Sequence, residues 1–324
     1  MSQKEQFSIG ELTVDTIVGG GLDNKRKKRF LNAALGSAGY PGTSPYQPLK
    51  TLAAAYAEID SLKDDIVVLQ QSASALTLAT GFDWQKHMAS FIGTAGNKMN
   101  QRARIGHAVT VPTLFTVSGY GNVFANIMFS HGVAITDLTA LSVTGNRNAF
   151  YNCHFLTPTF AAQGDAAGFA GVSIAATETY FKDCVFGSAT MARTGAYPTV
   201  KIAPPSSHLG YTRFDNCTFL AFITSANPLH VYMDNSSTGL DQTYAEFNNC
   251  RFIATSANMA TAMTAVFAFA TTAALGDTCG VFLDQNCQFF NCGNTIAANY
   301  SNVWIPTAAK TAAGVTTALL ATVE

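Results

Sequence analysis

A short pattern, Phe-x-Asn-Cys-x-Phe, recurs along the chain and restricts its fold more than any other feature. Complete copies are Phe150-Tyr151-Asn152-Cys153-His154-Phe155, Phe181-Lys182-Asp183-Cys184-Val185-Phe186, Phe214-Asp215-Asn216-Cys217-Thr218-Phe219 and Phe247-Asn248-Asn249-Cys250-Arg251-Phe252, with Asp183 in the Asn place. An earlier copy, Phe124 to Phe129, has Ile127 where the others have Cys. A later one, Asp284-Gln285-Asn286-Cys287-Gln288-Phe289, lacks the first Phe. The central positions 127, 153, 184, 217, 250 and 287 are 26 to 37 residues apart. Phenylalanine makes up only 23 of 324 residues, so a second Phe in every copy (Phe129, Phe155, Phe186, Phe219, Phe252, Phe289) marks a structural repeat.

Side-chain parity gives the repeat its geometry. Residues two apart share a strand face, so the Cys and the second Phe point the same way. The first Phe, three before the Cys, has the wrong parity, and the chain must bend if it is to join them. The residue before the central position is Asn126, Asn152, Asp183, Asn216, Asn249 or Asn286. Asn and Asp are the non-glycine residues that best tolerate left-handed backbone. The expectation is strand, Asn-marked corner, strand, with both apolar residues facing one interior. Further β-rich stretches, among them Gly171 to Ile174, Thr199 to Ile202, His230 to Met233 and Val266 to Phe269, supply other strands, and no helix-length periodic stretch intervenes.

A coil of about 30 residues with short strands is the rung of a parallel β-helix, an all-β fold. Rungs then lie about 4.8 Å apart and stack like on like. The ladders would be of Phe, of corner Asn, and of Cys153, Cys184, Cys217, Cys250 and Cys287. Segments 198–210 and 235–243 are candidates for outward loops. Seven cysteines, an odd count with no CxxC spacing, read as free buried thiols that pack as small apolar groups. No disulfide framework, metal or cofactor is expected.

Charged residues are only 12% of the chain and the net charge is −1, which gives no global pull toward nucleic acid. The local run Lys25-Arg26-Lys27-Lys28-Arg29 reads as a solvated arm or a docking patch. Met1 to Ile9 is polar and lacks the apolar core of a secretion signal, and no apolar run is long enough to span a bilayer. The chain is therefore expected to be made in the cytosol and to avoid membranes.

Before the repeats, Leu49, Leu52, Ala53, Tyr56, Ile59 and Leu62 recur at helical spacing after Pro45 and Pro48, which predicts an amphipathic helix over 49–62. Asp64-Asp65-Ile66-Val67-Val68-Leu69 reads as a turn into a strand. The order Gly42-Thr43-Ser44-Pro45, Pro48, this helix and this strand resembles the entrance of pectate-lyase-like β-helices, with Lys63-Asp64 where the family has Gly before the Asp. Followed by Asn-Cys-x-Phe rungs, it is similar to bacteriophage virion β-helix proteins, including tailspikes, head fibres and capsid decorations.

That resemblance implies a right-handed parallel β-helix over 30–295 whose open end is capped by the 49–62 helix. It implies an N-terminal docking arm over 1–29, hinged at Gly19-Gly20-Gly21, and a cap or trimer-contact tail over 296–324. It further implies a homotrimeric structural protein of the virion, assembled in the host cytoplasm and attached through its arm to the major capsid protein or another virion protein. The alternative is a tail fibre or tailspike that binds, and in some cases cleaves, host surface glycan.

Catalysis on this fold needs a carboxylate cluster. The positions after the Cys (His154, Val185, Thr218, Arg251, Gln288) and two before it (Tyr151, Lys182, Asp215, Asn248, Gln285) concentrate no acids. Asp234, Asp241 and Glu246 form one local grouping that turn chemistry explains equally well. His87, His107 and His131 stand apart in sequence and read as packing or surface residues. The expectation is a non-enzyme.

Overall fold

The computed structural model describes residues 26–95, 103–132, 134–156, 158–203, 210–234, 243–270 and 279–296, together with short strands at 8–9, 12–13 and 303–304. Among these residues the chain coils through three parallel sheets of ten, eight and eight strands. Each rung contributes one strand to each sheet in turn; Thr179–Lys182, Val185–Arg193 and Pro198–Ile202 make one such rung. This is a parallel β-helix.

The motif lies where parity places it. Phe124, Phe150, Phe181, Phe214 and Phe247 are in register on the first sheet. Phe129, Phe155, Phe186, Phe219, Phe252 and Phe289 are in register on the second. Rings within a column stack nearly parallel, as Phe214 on Phe247 at 4.7 Å and 3°. Rings of the two columns meet edge to face, as Phe214 on Phe219 at 5.6 Å and 65°. Both arrangements are favourable for the aromatic quadrupole. All of these rings except the half-buried Phe289 are fully buried. Cys153, Cys184, Cys217 and Cys250 lie buried beside them as free thiols, and Cys287 is half-buried. Burial pushes the Cys153 and Cys217 thiols up, so they stay protonated.

Between the columns stands the corner. Asn126, Asn152, Asp183, Asn216 and Asn249 all have φ between 50° and 58°. Each of the first four donates its backbone N–H to a carbonyl on the next rung, as Asn216 to Asn248 at 2.8 Å. Side-chain amides join the column as well: Asn152 Nδ2 donates to Asn126 Oδ1 at 2.7 Å, and Asn249 Nδ2 to Asn216 Oδ1 at 3.4 Å. Asp183 fits here because its carboxylate accepts from Asn216 Nδ2. Asn216→Ala is expected to cost about 1–2 kcal/mol more than Asn216→Gly, because only the alanine Cβ penalises left-handed backbone. Urea midpoints of the two variants check this difference.

The sixth corner departs from the expected pattern. Leu283 takes the first-Phe place opposite Phe247, and Gln288 faces Arg251. The turn between them is one residue longer than in the rung below, so Asn286 needs no left-handed backbone. Instead Asp284 Oδ1 accepts from the Asn286 N–H at 2.9 Å, closing a turn; the left-handed residue nearby, Asn291, stands at the following corner, between Gln288–Phe290 and Cys292–Ile296.

Other boundaries move too. The helix is Leu52–Ala57, not 49–62: Thr51 Oγ1 caps it by accepting from Ala54 N, and the Asp65 carboxylate takes the N–H groups of Asp60 and Lys27 and turns the chain away. Leu49 instead bridges Leu31, and Leu62 is 54% exposed with φ 62°. The helix buries Leu52 and Ala55, while Tyr56 meets Trp84 at 4.9 Å. The strand Lys28–Leu31 pairs with Ile66–Leu69, so Lys28 and Arg29 belong to the first rung rather than to an arm. Beyond 295, Cys292–Ile296 is a strand, and Val303–Trp304 pairs on the first sheet. Of the loop expected over 198–210, Pro198–Ile202 is a strand and 204–209 lie outside the described residues. The glycine joint at 19–21, the segment 235–242 and the tail 305–324 lie outside the described residues.

Candidate functional site

Where the inner face of the first sheet is apolar, the alternate residues face outward. The column one before the first Phe reads Tyr180, Arg213, Glu246 and Phe282 on successive rungs. The column one after it reads Tyr151, Lys182, Asp215 and Asn248. Two residues further back, Tyr211 pairs with Tyr244. Tyr151, Tyr180, Tyr211, Tyr244 and Phe282 thus place one outward aromatic residue on each of five successive rungs, spread over three neighbouring columns and about 19 Å along the stack at the usual strand spacing, with Tyr244 and Phe282 5.9 Å apart. Tyr151 meets Tyr180 at 5.8 Å, and Tyr211 and Phe282 are 38% and 40% exposed.

A cleft of about 580 Å³ opens on this face, lined by Arg147, Glu178, Tyr180, Tyr211, Arg213 and Asp215. Its polar groups are held by one another. The Tyr180 hydroxyl donates to Asp215 Oδ2 at 2.6 Å, and Arg213 Nε and Asn248 Nδ2 both donate to Asp215 Oδ1 at 2.9 Å. The Tyr211 hydroxyl donates to Glu246, whose other oxygen accepts from Asn248 at 2.8 Å. Arg147 pairs with Glu178 at the rim. Burial alone would raise the Asp215 carboxyl, but the hydrogen bonds from Arg213, Tyr180 and Asn248 outweigh it and hold the group below the ordinary carboxylate value. Burial, then the Glu246 carboxylate, pushes the Tyr211 hydroxyl up to about 12. A carboxyl kept ionised in this way is a hydrogen-bond acceptor and not a proton donor.

Of the acidic grouping expected near residue 240, the two described members stand on different sheets. Asp234 pairs with Lys201 Nζ at 2.6 Å on the third sheet, Glu246 lies on the first, and Asp241 is outside the described residues. His154 and Val185, the positions after the Cys that a catalytic outer face would have to expose, are buried. Of the basic run, Arg26 pairs with Asp64, Lys27 with Asp60 and Arg29 with Glu58. Lys25 lies outside the described residues.

A second cluster forms at the corner between the second and third sheets. His107 ends the strand Arg104–His107, His131 follows Met128–Ser130 one rung on, and Asp137 precedes Thr139–Val143. Their ligating atoms all lie within 4.8 Å of one another. His131 Nδ1 is 2.9 Å from His107 Nε2, which is 3.7 Å from Asp137 Oδ2. Burial, then the neighbouring His107, lowers His131 to about 4, which leaves its ring neutral at pH 7. His87 stands elsewhere, its ring 4.0 Å from that of Tyr120. Sequence separation hides the cluster, since 24 residues become one rung step only once the coil is in register.

No protein-family model matches the sequence, and no curated protein matches it. Solved structures do match. The pectin methylesterase from Aspergillus niger superposes with a TM-score of 0.50 at 13% identity, covering 86% of each chain. Pectin methylesterase PemA from Erwinia chrysanthemi gives 0.49 at 11% identity, over 89% of this chain and 92% of that one. Pectate lyase Pel9A gives 0.48 at 11%, over 89% and 82%. The likeness to the Aspergillus enzyme establishes the right-handed parallel β-helix fold and, at that identity, nothing about a reaction.

Proposed function

We propose that this chain is a structural protein of a bacteriophage particle that binds a surface glycan along the outer face of its first sheet without cleaving it. The observation that carries this reading is the Tyr180, Tyr211, Arg213, Asp215 cleft on a face that carries an outward aromatic residue on five successive rungs. Tyrosine faces stack on the apolar faces of sugar rings, and fixed carboxylate, guanidinium and amide groups read their hydroxyls. Glycoside hydrolysis needs one carboxyl that arrives protonated, and the hydrogen-bonded Asp215 is held the opposite way. The stiff ladder of stacked rungs suits a shaft or a decoration on a capsid. Three such shafts packed side by side, docked through N-terminal residues to the capsid protein or another virion protein, make the assembly.

The test is a screen of the purified protein against host surface polysaccharides. A bound glycan is expected, and Tyr180→Ala with Tyr211→Ala should weaken it by at least about tenfold while the circular dichroism spectrum is unchanged. No bound glycan, or a double variant that binds as well as the parent, removes the reading. Release of new reducing ends removes its non-catalytic part, and a monomer in light scattering removes the trimer.

A further inference from the structure

We propose that the corner between the second and third sheets binds one divalent transition-metal ion, of the zinc class, through His107 Nε2, His131 Nδ1 and a carboxylate oxygen of Asp137. The site is separate from the cleft on the first sheet, and its failure would leave the glycan reading untouched.

Convergence is the first argument. Tetrahedral zinc with bonds of about 2.0–2.1 Å places its ligand atoms roughly 3.3 Å apart. The His131–His107 and His107–Asp137 separations of 2.9 and 3.7 Å bracket that value. The third separation, His131 to Asp137, is no more than 4.8 Å. The donor set is two imidazoles and one carboxylate. Calcium and magnesium prefer all-oxygen shells, whereas nitrogen-rich sets select zinc and its neighbours.

Orientation is the second argument. His107 Nδ1 contacts the Val109 carbonyl, which only accepts, so the proton sits on Nδ1 and the Nε2 lone pair points into the corner. A carbonyl on the far ring nitrogen is the arrangement that fixes metal-binding histidines. Gly132 N donates to His107 Nε2 at 3.1 Å, a bond that a metal ion would replace. Asp137 is aimed in the same way: Val111 N donates to Oδ1 and Ala134 N to Oδ2, each at 2.9 Å. The Asp137 and His107 side chains are 0% and 1% exposed, so the ion would sit in a dry site where its charge counts most. Binding needs His131 to carry its proton on Nε2, a change of tautomer that releases no proton.

Such an ion would tie the loop after His131 to two successive rungs. The test uses the full chain, stripped with a chelator and titrated with Co²⁺ and then Zn²⁺. One equivalent of Co²⁺ is expected, giving visible d–d bands without the thiolate charge-transfer band that cysteine ligation produces. Zn²⁺ should displace it and raise the melting temperature by about 5 °C at a hundredfold excess over Kd. Asp137→Asn, which keeps an acceptor for Val111 N, should weaken binding at least about tenfold. Histidine ¹⁵N resonances of the unmutated, Zn²⁺-loaded protein should shift at Nε2 of one ring and Nδ1 of another, which needs no variant to fold. Absence of binding at micromolar metal, a thiolate band, or affinity unchanged in Asp137→Asn overturns the proposal.

Discussion

Phe219→Ala is expected to destabilise the protein by about 3–5 kcal/mol, the range for removing a fully enclosed aromatic ring. Phe219 lies between Phe186 and Phe252, each 4.8 Å away and nearly parallel, at 7° and 14°. Phe214 and Phe247 meet its edge at 5.6 and 5.8 Å. Collapse cannot fill the gap, because every neighbouring ring is held at the strand spacing by its own backbone ladder. The cost is therefore the lost burial plus most of the cavity. Phe289→Ala is the internal control. That ring is only half-buried and stacks on Phe252 alone among the column, so its loss should cost less than half as much. Denaturant midpoints at constant m read both values. Equal costs would mean that the ladder is not the source of stability.

Asn148→Ala is expected to cost a similar amount, about 3–5 kcal/mol, for an unrelated reason. Asn148 is fully buried at the corner that leads into the first sheet. Its Oδ1 accepts from Asn122 N at 2.9 Å and Asn122 Nδ2 at 3.1 Å, while its Nδ2 donates to the carbonyls of Gly119 at 2.9 Å and Gly145 at 2.6 Å. Asn122 Oδ1 in turn accepts from Trp84 Nε1 at 3.2 Å and Ala89 N at 3.0 Å. Alanine leaves four polar groups without these partners in a dry corner, and each such group costs about 1–3 kcal/mol before relaxation. Asn148→Asp separates the two halves of the network. It keeps the acceptor but turns a carboxylate toward two carbonyls, which raises its folded-state pKa above the unfolded value. The folded state then binds the proton more tightly, so this variant should gain stability as pH falls, because a protonated carboxyl can donate again. A variant equally unstable at every pH would mean that the loss is one of shape and not of hydrogen bonding.

The two predictions differ in how visible their residues are beforehand. Phe219 is legible because the repeat is local: six residues contain both apolar positions and the residue that turns the chain between them. The outward columns were legible only in part. Reading the positions beside the Cys brings out Asp215 and Asn248 but passes over the column before the first Phe, where Tyr180, Arg213 and Glu246 stand. The same parity argument applied one strand earlier finds them. Asn122 and Asn148 had a fainter signal, each lying two residues before a first Phe. The periodicity of Leu49, Ile59 and Leu62 predicts a longer helix than forms, because the Asp65 carboxylate and the Leu31 bridge, both tertiary contacts, take those segments out of it. Asn286 misled for a related reason: an added residue in its turn relieves the need for left-handed backbone.

What the amino-acid sequence determined by itself is therefore the rung: inward parity of Phe and Cys, and a corner that, glycine apart, only Asn or Asp crosses cheaply. These follow from steric and hydrophobic preferences within a few residues of each other. The vertical register is what the tertiary structure decided. Rungs differ in length, so no spacing rule says which outward residues stand at one height. The Tyr180–Asp215 contact spans 35 residues and the His107–His131 contact 24. Both exist only because backbone ladders, which are blind to outward side chains, bring those heights together.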